Sequence, residues 1–135
     1  MEIEPTIDAS ETPDERERLS LKFQRELNAG LVGLVLLAVL EQAEEDLYGY
    51  QIAKRLQDLA NGCPPVKQGA LYPVLRQLSA NGLLASRIVP SYAGPPRRYY
   101  RITPAGRGTL AEWRDIWRNT RDFVDGFTEA NGASS

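Results

Sequence analysis

The chain has 135 residues, of which 42% are hydrophobic and 25% are charged. This composition is that of one soluble globular domain with room for one appended element. The chain has no His and a single Cys, Cys63, which excludes a thiolate–imidazole zinc site, an intrachain disulfide and a triad with a His base. We therefore expect no metal and no cofactor. The formal net charge of −2, taken over the whole chain, argues against a nucleic-acid partner, because binding a polyanion requires positive charge.

The first 18 residues hold seven acids and two bases, and such a segment buries too little apolar surface to offset its ordering entropy. We expect an acidic, disordered tail over residues 1–20 and a frayed tail over 129–135. No secretory signal is expected, because no basic start is followed by an apolar stretch. The longest apolar run, 29–40, has 12 residues, fewer than the about 20 of a membrane span. We expect a cytoplasmic protein without a membrane segment.

Three helices are predicted before residue 81, over 23–42, 49–60 and 67–80. The turn-forming sequence Asn-Gly-Cys-Pro-Pro separates the second from the third, and Gly82 supplies a left-handed cap after the third. In the first helix the periodicity predicts an inward face of Leu27, Leu31, Leu34, Val35 and Ala38. In the third it predicts Leu71, Val74, Leu75 and Leu78.

The period changes after the third helix. Residues 85–90 and 98–102 are rich in branched and aromatic side chains and are predicted to form a hairpin with a long loop over 91–96. Thr103 is a good N-cap, and Pro104 at the first helical position begins a fourth helix that runs to about Phe127. The predicted order is helix, helix, helix, strand, strand, helix.

The charges are unevenly distributed along the chain. Residues 59–111 contain no acid and seven bases, so this window carries +7 and the rest of the chain −9. The bases are Lys67, Arg76, Arg87, Arg97, Arg98, Arg101 and Arg107. A solvated face normally mixes both signs, so the window favours a surface that binds nucleic acid. It covers the third helix, which fits a DNA major groove, and a hairpin that can reach the backbone beside it. This is the arrangement of a winged helix-turn-helix.

Four motifs resemble the PadR family of bacterial transcriptional regulators. They are Tyr-Gly-Tyr-Gln-Ile-Ala at 48–53, Gly-Ala-Leu-Tyr-Pro-Val-Leu at 69–75, Gly-Leu-Leu at 82–84 and Arg-Tyr-Tyr-Arg-Ile-Thr-Pro-Ala-Gly at 98–106. The resemblance implies a cytoplasmic dimer that binds an operator near its target gene, usually as a repressor released by a small molecule. The single short C-terminal helix resembles the subgroup with a reduced dimerisation region. Where the family often has a Gly-Arg-Pro-Arg wing tip, this chain reads Gly-Pro-Pro-Arg-Arg at 94–98, which implies fewer wing contacts.

We therefore predict a mainly α (α+β) fold, a winged helix-turn-helix with a C-terminal dimerisation helix. Residues 21–103 form the DNA-binding domain and 104–128 the dimerisation helix in this interpretation. The expected partner is double-stranded DNA carrying an inverted repeat. An enzyme is not expected, because the clustered Glu44, Glu45 and Asp46 lie in a turn without a nucleophile or a general base nearby. The alternative is a winged-helix protein-interaction module without specific DNA binding.

The third helix carries four candidate DNA-binding residues. Lys67 and Gln68 stand at its N-terminal end, which meets base edges in most helix-turn-helix proteins, although both residues could simply be exposed. Tyr72 and Arg76 follow at intervals of four residues on the same stripe, and these residue types commonly hold phosphates. The resemblance assigns that role to Tyr72, and the alternative for it is a place in the core.

Three further candidates lie outside that helix. Tyr50 is placed near the unpaired N–H groups that open the second helix, so it either contacts a phosphate, as the resemblance implies, or packs on the first helix. Arg97 and Arg98 are wing residues expected to contact the DNA backbone. Tyr99 and Tyr100 alternate across the strand, and both are assigned to the core.

The fourth helix carries an apolar stripe with 3-4-3-4-3 spacing, expected to pair with the same helix of a second subunit. Its members are Leu110, Trp113, Trp117, Thr120, Val124 and Phe127. A homodimer supplies the symmetry that half-sites about 34 Å apart require. Trp113 and Trp117 either form part of the dimer core or stack on a small aromatic effector between the subunits.

Overall fold

A computed structural model describes residues 12–59 and 68–129, and seven elements follow one another in these two ranges. They are α1 (Pro13–Gln42), β1 (Leu47–Tyr48), α2 (Gly49–Leu59), α3 (Gln68–Ala80), β2 (Leu84–Ser91), β3 (Gly94–Ile102) and α4 (Pro104–Thr128). A small antiparallel sheet therefore accompanies four helices. This arrangement confirms the predicted winged helix-turn-helix with a C-terminal helix.

The helix α1 begins at Pro13, ten residues earlier than predicted. Thr12 caps it, because its side-chain hydroxyl accepts a hydrogen bond from the backbone N–H of Glu15 at 3.1 Å, and Pro13 opens the first turn. The first turn also contains Asp14 and Glu15, whose negative charges interact favourably with the positive end of the helix dipole. The expected disordered tail over residues 1–20 is therefore wrong from residue 13 onward. Residues 1–11 and the end of the other predicted tail, 130–135, lie outside the described ranges.

The chain divides into two compact units at Val32. In the first unit, α1 is exposed along most of its length and carries an ion pair between Lys22 Nζ and Glu26 Oε2 at 2.7 Å. Its exposed large apolar side chains are Leu19, Leu21, Phe23 and Leu27. The predicted inward position of Leu27 is therefore wrong.

In the second unit, α1 contributes its last turns to the core. The buried residues are Leu36, Leu37, Val39 and Leu40, whereas Val35, predicted to face inward, is 39% exposed. The stretch 34–40 is apolar on every side of the helix, so periodicity cannot select a face there. By length and composition alone α1 could cross a membrane, but the core helix of a soluble protein often has the same length and composition. Its buried final turns favour the core helix.

The sheet has the order β1-β3-β2, with β3 in the centre. The short strand β1 was not predicted, and it pairs antiparallel with β3 through Leu47↔Tyr100 and Tyr48↔Tyr99. The hairpin of β2 and β3 is longer than predicted and leaves only Tyr92 and Ala93 between the strands. The predicted loop over 91–96 includes Pro95 and Pro96, but these residues open β3 before the part of it that pairs with β1. Pro90 lies on the edge strand β2 at a register shift between Val89 and Ser91, where a missing N–H is tolerated.

The core of the second unit combines the helices and one face of the sheet. Its fully buried side chains are Leu36, Leu37, Leu47, Ile52, Leu71, Leu75 and Leu110. Tyr100 and Ile102 add the inward face of β3 and are 3% and 7% exposed. Leu110 was expected at a dimer interface, but its side chain is 0% exposed within the single chain. That assignment is wrong, because α4 packs its first turns against its own subunit.

The junction between α3, β2 and α4 is fixed by Thr103. Its hydroxyl oxygen accepts a hydrogen bond from Gly106 N–H at 3.0 Å, and its O–H donates to the carbonyl oxygen of Gly82 at 2.7 Å. Gly82 has φ +79°, the left-handed conformation expected of a helix cap. The predicted N-cap of α4 and the predicted cap after α3 are both confirmed.

Candidate nucleic-acid interface

The helix α3 turns one face to the core and another to solvent. Leu71, Leu75 and Leu78 are buried, which leaves Arg76 exposed on the opposite side. Gln68 is the first residue of α3, whereas Lys67 lies outside the described ranges. The 13 residues of α3 span about 20 Å at 1.5 Å per residue, long enough to lie across a major groove.

Tyr72 links α3 to the start of α2. A Cβ placed on Gly49 would lie 2.6 Å from Tyr72 Cε1 and 2.8 Å from its hydroxyl oxygen, so the ring packs directly over the backbone of Gly49. The side chain remains 37% exposed. Tyr72 therefore combines the two predicted possibilities, a packing contact and an accessible ring at the N-terminal end of α2. The first N–H groups of a helix have no partner within it and favour an anion such as phosphate.

The start of α2 also fixes two other tyrosines. The backbone N–H of Tyr48 donates to Gln51 Oε1 at 3.1 Å, which is one half of a capping box. Tyr50 is 54% exposed, and its ring stacks beside that of Tyr48, with 6.4 Å between centroids. The first N–H groups of a helix have no partner within it and attract anions, so an exposed tyrosine at this end of α2 has the position expected of a residue that binds phosphate.

The wing arginines point to opposite faces of β3. The guanidinium carbon of Arg97 lies 4.4 Å from the centroid of the Tyr48 ring, within the range of a cation–π contact. Arg98 instead donates from Nη1 to the hydroxyl oxygen of Ser86 on β2 at 3.1 Å. Both arginines are exposed. Arg97 therefore lies beside the start of α2, and Arg98 stays on the hairpin.

Two other bases of the acid-free window have acidic partners from earlier in the chain. Arg87 forms an ion pair with Asp46 at 3.0 Å and lies 5.3 Å from the centroid of Tyr99. Arg107 lies 3.9 Å from Glu41, which also pairs with Arg114 at 3.3 Å. The charge of +7 therefore overstates the basic surface. A count along the sequence could not reveal these pairs, because the acids precede the window.

Tyr99 and Tyr100 have different environments. Tyr100 faces the core and is 3% exposed, and its burial raises the pKa of its phenol, a shift that the nearby charges of Arg98 and Arg76 partly oppose. Tyr99 is half-buried on the other face, where its ring meets Tyr48 edge-on with 5.3 Å between centroids. The alternation along the strand is confirmed, but the assignment of Tyr99 to the core is wrong.

The helix α4 exposes a broader apolar surface than predicted. Trp113 and Trp117 are half-buried, and a Cβ on Gly33 would lie 3.4 Å from the ring of Trp113. Thr120 is exposed, as are the large apolar side chains Ile116, Phe123, Val124 and Phe127. The heptad pattern missed Ile116 and Phe123. Which face of α4 stays exposed depends on which of its side chains the rest of the subunit covers, and the sequence of α4 alone does not show this.

Known proteins resemble this chain over most of its length. The family model of the transcriptional regulator PadR-like family matches residues 36–112. A transcriptional regulator of Mycobacterium tuberculosis is 42% identical over 74 residues, which cover 53% of this chain and 64% of that protein. The crystal structure of a PadR family transcriptional regulator from Eggerthella lenta has a TM-score of 0.70 at 32% identity, covering 85% of this chain and 96% of that one.

A second solved structure, a transcriptional regulator from Clostridium thermocellum, has a TM-score of 0.68 at 28% identity. The alignment covers 76% of this chain and 98% of that one. The match of the family model, which spans more than half of the chain, coincides with the elements from the end of α1 to the start of α4. The chain belongs to the PadR-like family of transcriptional regulators.

Proposed function

We propose that the chain is a DNA-binding transcriptional repressor that binds an inverted-repeat operator as a homodimer. One observation carries this proposal. The helix α3, the start of α2 and the wing strand β3 meet at Tyr48-Gly49-Tyr50, through the contacts Tyr72–Gly49 and Arg97–Tyr48. A DNA-binding role also places the protein in the cytoplasm, and it calls for no catalytic group, metal or cofactor.

In this proposal the residues divide into those that read bases and those that hold phosphates. Lys67 and Gln68 meet base edges at the N-terminal end of α3, since Gln pairs with adenine and Lys donates to guanine. Tyr72 and Arg76 contact phosphates along the groove, as Tyr50 does at the start of α2. Arg97 and Arg98 contact the backbone from the wing.

The proposed dimer uses the exposed apolar side of α4. Ile116, Phe123 and Phe127 are 60%, 67% and 75% exposed, and the rings of Phe123 and Phe127 are in edge contact at 5.1 Å. A contiguous apolar surface of this kind favours burial against a partner. A second copy of α4 satisfies it and also supplies the two-fold symmetry of an inverted repeat.

We also propose that Trp113 and Trp117 stack on a small aromatic effector at this interface. Both indoles are half-buried and border the exposed apolar surface of α4, so a second subunit would enclose them. Planar aromatic compounds should quench the tryptophan emission of the dimer, and Trp117→Ala should abolish that quenching. Failure of a broad aromatic library to quench would contradict the effector role without affecting the DNA-binding proposal.

The test of the DNA-binding role compares duplexes from the protein's own gene neighbourhood with random duplex at moderate salt. A preference for one neighbourhood fragment, weakened by Arg76→Ala with a salt slope lower by about one, would support the proposal. The matched control is Arg118→Ala, which removes an exposed arginine paired with Asp115 at 3.5 Å on α4. If the protein has equal affinity for all duplexes and Arg76→Ala still binds the same proteins as the wild type, the protein-interaction module would be favoured.

A further inference from the structure

The contact between Arg97 and Tyr48 connects the wing to the start of α2. The guanidinium carbon lies 4.4 Å from the ring centroid, which places the cation over the negative face of the ring. Stacking of this kind occupies the flat face of the guanidinium and leaves its N–H edges available to donate in their own plane. Arg97 can therefore keep this contact while it binds a phosphate.

Tyr48 is held in place by its neighbours on both sides. Its backbone pairs with Tyr99 in the sheet, and its N–H donates to Gln51 Oε1 at 3.1 Å. Its ring has Tyr50 beside it at 6.4 Å and Tyr99 against its edge at 5.3 Å. A ring fixed by a strand, a helix start and two other rings offers a rigid support for a flexible arginine.

We infer that Tyr48 is a positioning residue for DNA binding. It holds Arg97 beside Tyr50, so that the wing and the start of α2 meet the same stretch of phosphate backbone. This inference rests on the proposed function. The physical reason is preorganisation: an arginine whose rotamers are restricted before binding loses less conformational entropy when it contacts DNA. Arg97 therefore contributes more affinity when Tyr48 is present.

A second arginine on the same sheet face provides a matched control. Arg87 lies over Tyr99 at 5.3 Å, so it also stacks on a tyrosine. Its charge is already paired with Asp46 at 3.0 Å. Removal of Arg87 deletes a stacked cation whose charge is already paired with a carboxylate. Removal of Arg97 deletes a stacked cation that is proposed to bind phosphate.

The experiment measures operator affinity as a function of salt for the full-length protein and its variants. Arg97→Ala should weaken binding and lower the salt slope by about one, whereas Arg87→Ala should leave the slope unchanged. Tyr48→Leu should weaken binding by about two- to fivefold at an unchanged slope, because the cation remains but its support is lost. Tyr48→Phe, which keeps the ring, should restore binding. In the Arg97→Ala background, Tyr48→Leu should cause no further loss.

Either of two results with the Tyr48→Leu and Arg97→Ala variants would overturn the inference. One is a loss from Tyr48→Leu that is equally large with and without Arg97, since the tyrosine would then act through folding alone. The other is a salt slope that Arg97→Ala leaves unchanged. If Tyr48→Leu does not fold, Arg97→Lys takes its place, because lysine keeps the charge but stacks poorly, and wild-type affinity in that variant would also overturn the inference. A wild-type protein without operator preference would instead contradict the proposed function.

Discussion

Tyr72 occupies the space that a side chain on Gly49 would need. A Cβ on Gly49 would lie 2.6 Å from Tyr72 Cε1, closer than two carbon atoms can approach. The ring of Tyr72 thus explains why the first residue of α2 is a glycine. This contact sets the separation of the two helices at the end where the helix-turn-helix is proposed to meet DNA.

We expect Gly49→Ala to displace the ring of Tyr72, which is the partly exposed end of its side chain, and to lower the free energy of unfolding by about 1 kcal/mol, the lower end of the usual cost of an overpacked contact. Urea denaturation would measure the stability, and operator titration would show weaker binding as the ring of Tyr72 moves. The same substitution in a Tyr72→Ala background should cost much less, because the clash is gone. An equal cost in both backgrounds would contradict this account.

Two glycines of α4, two residues apart, should respond in opposite directions to the same change. A Cβ on Gly106 would collide with the carbonyl oxygen of Leu83 and lie 2.7 Å from Ile102 Cγ1, whereas a Cβ on Gly108 meets nothing within 4 Å. We expect Gly106→Ala to destabilise the protein by about 1–3 kcal/mol. Gly108→Ala should stabilise it by about 0.5–1 kcal/mol, since alanine favours a helix interior.

Thermal unfolding followed by circular dichroism would measure both variants under the same conditions. The pair shares sequence neighbourhood, helix and chemistry, so a difference in sign isolates the packing at Gly106. Equal stabilisation by the two substitutions would show that α4 does not pack against the Leu83 carbonyl in solution.

Local signals predicted much of this fold. The start of α4 follows from Thr103 and Pro104, which are adjacent and need no distant partner. The buried face of α3 follows from periodicity, since Leu71, Leu75 and Leu78 recur at intervals of four and three residues. The sites proposed for DNA also follow from residue type and position along the chain.

Distant partners explain what sequence reasoning missed. The strand β1 has two residues, and it becomes a strand only by pairing with β3 about 50 residues later. The same distance separates Tyr48 from Arg97, and 41 residues separate Asp46 from Arg87. Neither pair leaves a pattern in the local sequence, because both contacts form only when strands that are distant in the sequence pair in the sheet.

The proposed dimer can be tested at Phe123, which is 67% exposed on α4. Phe123→Arg should convert the dimer to a monomer, since a charge at the centre of an apolar interface would be buried without a partner. Sedimentation velocity would measure the change in mass. Arg118→Glu, at an exposed position on the opposite side of the helix, should remain dimeric. An unchanged dimer in Phe123→Arg would place the interface elsewhere.

The burial of Tyr100 should make the free energy of unfolding fall at high pH. Burial raises the pKa of its phenol above the ordinary value of 10.0, so the folded state holds this proton more tightly than the unfolded state. The resulting stability is complete below the unfolded pKa and is lost as the pH rises through the raised folded pKa. Urea denaturation at pH values from about 8 to 11 should show a steeper decline for the wild type than for Tyr100→Phe. The matched control is Tyr92→Phe, which removes a fully exposed phenol from the wing turn. A decline in Tyr100→Phe as steep as in the wild type would mean that other groups cause the alkaline loss.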